Sequence, residues 1–120
     1  MKRLAGFVIS LMAVAVLAGC SGAKSYDTPS QLLDAFVAAG GTCDDPQDVM
    51  EAMVGEGAHA VLCPENIDML IVFDSADQKN RYVAQVASEE SPIVAGERWV
   101  VVSDKAEDLA GSLGGEVVAG

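Results

Sequence analysis

The stretch 58-AHAVLCPENIDMLIVF-73 decides how this chain folds. Ala58 to Cys63 is short and mostly apolar, and Pro64-Glu65-Asn66 is turn chemistry. Ile67 to Phe73 is apolar throughout except at Asp68, the pattern of a strand buried on both faces. Two strands joined by so short a turn form a hairpin. The second strand is the expected centre of a sheet.

Helical signals flank this hairpin. Upstream, Thr28-Pro29-Ser30-Gln31 offers an N-cap, a proline at the first helical position and the partner of a capping box. Leu32, Leu33, Phe36 and Val37 then form one apolar stripe, ended by Gly40-Gly41. Asp45 and Pro46 repeat the cap-and-proline signal for a short helix with Val49, Met50 and Met53 on its apolar face. Gly55-Glu56-Gly57 ends that helix and leads into the hairpin.

Downstream, Ser75 with Gln78 is a second capping box, and Tyr82, Val83, Val86 and Ala87 supply a buried face. Ser91-Pro92 breaks this helix, and Ile93 to Gly96 crosses back. Arg98 to Ser103 is a strand with Trp99 half-buried. Asp104 is the expected cap of a last helix carrying Ala106, Leu109, Ala110 and Leu113, and Glu116 to Ala119 is a final short strand. The expected class is therefore α+β: a four-stranded mixed sheet packed by three amphipathic helices, with strand–helix–strand crossovers. No internal repeat or second domain boundary is visible.

Residues 1–20 have a different character. Lys2 and Arg3 precede an apolar run from Leu4 to Ala18, too short for an untilted membrane span of about 20 residues and suited to an export signal. The run ends in Leu17-Ala18-Gly19-Cys20, which resembles the lipobox of bacterial lipoproteins. That resemblance implies cleavage before Cys20, a diacylglyceryl group on its thiol, palmitate-type acyl chains and a place on the outer side of the cell membrane. Two or three acyl chains, at about 0.8 kcal/mol per buried CH₂, hold a protein on a bilayer. The division that follows is a signal peptide over 1–19, a lipidated Cys20 with a flexible tether over 20–27, and one domain over 28–120. Seven small, polar residues from Ser21 to Asp27 would hold that domain about 15 Å from the anchor.

Removing Lys2 and Arg3 with the signal leaves five cations against eighteen acids, a net charge of −13. That balance argues against nucleic-acid partners, which need clustered Lys and Arg. It also disfavours adsorption to anionic head groups, so attachment falls to the acyl chains. An unidentified protein or a cationic ligand is the partner class that an acidic domain fits.

Lipidation of Cys20 leaves Cys43 and Cys63, two thiols that pair in an oxidising compartment. Closing that loop stabilises a domain by roughly 3 kcal/mol in the chain-entropy model. The mature chain is also similar to small, uncharacterised actinobacterial lipoproteins. The positions that carry this likeness are Cys43, Cys63, Phe73, Trp99-Val100 and Gly114-Gly115. It implies no activity.

Few residues invite chemistry. His59 with Cys43 and Cys63 lacks the paired spacing of a zinc site, and His59 reads as a surface residue of a strand. Asp44-Asp45-Pro46-Gln47-Asp48 spells an aspartate-rich motif of terpene synthases, but capping explains it in a chain this short. Gly55-Glu56-Gly57-Ala58-His59-Ala60 matches a dinucleotide fingerprint in the wrong order, leaving a helix to enter a strand. Asp74 and Asp77 follow the central strand, where open sheets often bind ligands, and are the weak candidates for a cation. No catalytic set and no cofactor site is expected. The reading is a non-enzymatic, membrane-anchored binding or interaction module of the cell envelope. Its alternatives are a phage-type superinfection-exclusion or envelope-modulating lipoprotein, and a metal-dependent hydrolase using Asp74 and Asp77.

Overall fold

The computed structural model describes residues 24–87 and 92–118. The expected signal peptide and Cys20 lie outside the described residues. The elements in chain order are α1 (Pro29–Ala38), β1 (Gln47–Val49), α2 (Glu51–Val54), β2 (Ala58–Cys63), β3 (Asp68–Phe73) and α3 (Ala76–Val86). They continue as β4 (Ile93–Ala95), β5 (Trp99–Val102), α4 (Ala106–Leu113) and β6 (Glu116–Val118). The α+β class holds. The sheet has six strands rather than four, in the order β1-β2-β3-β5-β4-β6, and four helices flank it rather than three.

Every neighbouring pair is antiparallel, so the expected mixed sheet is corrected. The crossovers exist but are interleaved. From β3, α3 leads to β4, which runs in the same direction, yet β5 lies between them. From β5, α4 leads to β6 in the same way, with β4 between. Each parallel relationship thus skips one strand.

Two further corrections add strands. Gln47–Val49 was expected to be helical, but it pairs with β2 in the register Gln47↔Leu62, Asp48↔Val61 and Val49↔Ala60. The disulfide between Cys43 and Cys63 explains this, because it lays the following residues alongside the outer edge of β2. Edge hydrogen bonds then outweigh a local preference for helix. The helix shrinks to the single turn of α2, and Met50 and Met53 are left exposed. Ile93–Ala95, expected as a crossing segment, pairs with both β5 and β6.

The core has two layers, one on each face of the sheet. On one face α1 and α4 cover Leu70, Val72, Val94, Trp99 and Val101 with Leu32, Phe36, Leu109 and Leu113. On the other, Tyr82, Val83 and Ala87 of α3 and its end, with Val54 of α2, pack on Ala58, Ala60, Ile71, Phe73, Ile93 and Val100. Alternation along β3 sends Leu70 and Val72 one way and Ile71 and Phe73 the other, as a strand covered on both faces requires. Trp99 is fully buried rather than half-buried.

The caps follow the sequence closely. Thr28 accepts from the Gln31 amide at 3.2 Å, and the Gln31 side chain reaches back to the Asp27 amide at 2.8 Å. Ser75 accepts from the Gln78 amide at 3.2 Å, while the Gln78 amide group donates to the Glu56 carbonyl and ties α3 to the turn before β2. Asp104 does not cap α4. The Ser103 hydroxyl accepts from the Lys105 amide at 3.1 Å instead, and the helix begins at Ala106.

Candidate functional site

The strand directions give the sheet two ends. At one end the chain enters at Lys24, and the turns 55–57, 74–75 and 96–98 gather around it. At the other lie the hairpin turn 64–67, the disulfide and the start of α4. β3 separates the two ends by roughly 20 Å, at about 3.4 Å per residue.

At the entry end, residues expected in the flexible tether are built into the domain. Tyr26 is buried, and its hydroxyl donates to the Leu113 carbonyl at 3.0 Å. Its ring meets Trp99 edge-on with centroids 5.1 Å apart, and burial raises its pKa above the usual phenol value. The Trp99 indole donates to the Lys24 carbonyl at 2.8 Å, and the Lys24 amide pairs with Gly114. Arg98 pairs with Asp27 at 3.2 Å. An aromatic inside a small, polar linker was the sequence signal for this docking.

Packing around Trp99 also accounts for the glycines of this end. A Cβ on Gly96 would run into the indole, and one on Gly115 would meet the Ala95 carbonyl oxygen at 2.8 Å. These glycines line an open cleft of about 710 Å³, with Gly111 and Gly114 of the α4 end and Lys79, Glu97 and Glu116 around it. A smaller cleft of about 310 Å³ lies between α2 and α3, floored by Phe73 and Tyr82 and edged by Glu56, Gln78 and Arg81.

Of the residues singled out for chemistry, His59, Asp74 and Asp77 are also at the entry end. His59 Nε2 lies 3.1 Å from Asp74 Oδ1, both substantially exposed, so the pair contributes at most about 1 kcal/mol. Asp77 is exposed in the first turn of α3, where the helix dipole favours a carboxylate. Among the described residues, no group of three or more His, Cys, Asp or Glu side chains is arranged to hold a metal ion. The segment 44–48 is solvent-exposed beside the disulfide, and Gly55–Gly57 is the turn from α2 into β2.

The hairpin end holds two features that the sequence reading did not single out. Ile67, expected as the first residue of the central strand, sits in the turn with φ of +58° and a side chain 78% exposed. A β-branched residue there is strained, because its Cβ crowds the backbone. The visible signal was Asn66-Ile67 where a hairpin favours Asn-Gly. Beside it, Asp68 is 2% exposed and pairs across the ladder with Cys63, and its Oδ1 has no hydrogen-bond partner. Burial raises the Asp68 pKa, a rise that the Ser103 hydroxyl partly offsets.

Among the described residues, no helix is long and apolar enough to cross a membrane. Comparison with protein-family models, with curated proteins and with solved structures returns no match.

Proposed function

We propose that the protein is a lipid-anchored, extracytoplasmic lipoprotein whose folded domain is a non-enzymatic binding module at the cell envelope. The observation that carries this reading is the cysteine arrangement. Cys43 and Cys63 are joined, which leaves Cys20, at the lipobox position Leu17-Ala18-Gly19-Cys20, as the third cysteine. A structural disulfide suits the oxidising side of a membrane, and an acylated thiol suits a cysteine at a lipobox position. The partners are then the bilayer, through Cys20, and a protein or cationic ligand drawn to the exposed carboxylates of the domain.

The experiment is mass spectrometry of the N-terminus with fractionation of the native chain and of Cys20→Ser. A diacylglyceryl mass on Cys20, and loss of membrane retention or of processing in the variant, is the expected result. Normal processing and unchanged retention of Cys20→Ser would overturn the anchor. For the binding role, a thermal-shift series with divalent cations and basic peptides is expected to show stabilisation by at least one of them. No shift with any counts against the cationic-ligand reading.

A further inference from the structure

We infer that the entry end of the domain rests against an anionic lipid surface and the hairpin end points away, an orientation that rests on the lipid anchor proposed at Cys20. The number of residues between Cys20 and the fold sets the distance. Because Lys24 is already bonded to Gly114 and Trp99, only residues 21–23 separate it from Cys20. Four Cα–Cα steps span at most about 14 Å. The domain is thus held by one end, close to the head groups.

Charge selects the same end. The mature chain has five cations, and four of them lie at the entry end. Lys24 and Arg98 are on the entering segment and the turn before β5, Lys79 borders the larger cleft, and Arg81 borders the smaller one. This end is acidic too, with exposed Asp27, Glu51, Glu56, Asp74, Asp77, Glu97 and Glu116, of which Asp27 pairs with Arg98, but seven carboxylates against four cations is a smaller excess than at the other end. The hairpin end has Lys105 alone against exposed Asp44, Asp45, Glu65, Asp104, Glu107 and Asp108.

A uniformly acidic domain would be repelled whichever way it faced. This one is repelled least when its entry end is down. Attraction between cations and anionic lipids fades within a Debye length of about 10 Å at 0.1 M salt. With the entry end at the surface, the hairpin-end carboxylates stand roughly 20 Å further out, beyond that range. Turning the domain over would bring six carboxylates to the lipid for one lysine.

The test uses the full lipidated protein in vesicles of phosphatidylglycerol and phosphatidylethanolamine, after its N-terminal mass is read. A nitroxide is placed through Ser112→Cys at the entry end or Glu65→Cys at the hairpin end, with a nickel-chelating lipid as the relaxant. Relaxation at position 112 is expected to exceed that at position 65 by about threefold or more. Lys79→Glu with Arg81→Glu, both on the surface of α3, is expected to lower that ratio by about half, with an unchanged circular-dichroism spectrum. Equal or reversed relaxation in a chain that carries its lipid overturns the orientation while leaving the anchor standing. A ratio unmoved by the charge reversals overturns the role of charge, and an unmodified Cys20 overturns the anchor itself.

Discussion

Trp99 donates its indole N–H to the carbonyl of Lys24 across 2.8 Å, joining the second-last central strand to the segment that leads out of the domain. The entering segment is therefore secured from the core. Trp99→Phe removes the bond and part of the ring volume in a fully buried site. It is expected to cost about 2 kcal/mol. Tyr26→Phe, which leaves the Leu113 carbonyl without its donor, is expected to cost about 1 kcal/mol. Urea denaturation measures both, and limited proteolysis should cut near residue 24 sooner in either variant.

Strain at Ile67 is testable by relieving it. Ile67→Gly is expected to raise stability by about 1 kcal/mol, since glycine adopts a positive φ without the Cβ crowding. The side chain is exposed, so little burial is lost with it. A urea midpoint equal to or below that of the native chain would refute the strain.

Asp68 gives the domain a dependence on pH whose sign follows from its burial. Its pKa is raised in the folded chain, so folding favours the protonated form. The favourable contribution is complete below the unfolded carboxylate value of about 3.9 and is lost as pH rises through the folded pKa. Asp68→Asn removes the charge. At about pH 7 the variant is expected to be more stable than the native chain by on the order of 1 kcal/mol, and this advantage should vanish toward about pH 4. Parallel thermal melts across that interval measure the difference.

Breaking the disulfide tests what holds β1. Cys43→Ser with Cys63→Ser is expected to cost roughly 3 kcal/mol for a closed loop with 20 residues of separation. Hydrogen exchange should show the amides of residues 47–49 losing protection before those of β3. Uniform loss across the sheet would mean that β1 pairs without the staple.

The sequence was most legible where one residue's chemistry acts locally. Thr28 and Ser75 mark helix starts through bonds made within one turn, and each does so in the structure. The cysteine pairing was readable from the count once Cys20 was set aside. Strand number was harder. Gln47–Val49 carries helix-start signals that lose to an edge brought near by a bond between residues 20 apart. Ile93–Ala95 is too short for its periodicity to speak, and its partners are strands on either side that lie after it in the chain. Tyr26 announced itself only as an aromatic out of place. The burial of Asp68 was invisible, because nothing local tells an aspartate beside a turn that the start of α4 will cover it.

The interleaved sheet leaves β1 and β6 outermost among the described residues, and each is only three residues long. Asp48 lies on one and Glu116 on the other. A neighbouring copy seeking to extend the sheet would find few free amides and carbonyls on either margin, guarded by a carboxylate. Chains confined to a membrane meet one another far more often than chains in solution. If the anchor proposed at Cys20 holds this chain on a membrane, its short and charged margins guard against strand-by-strand polymerisation.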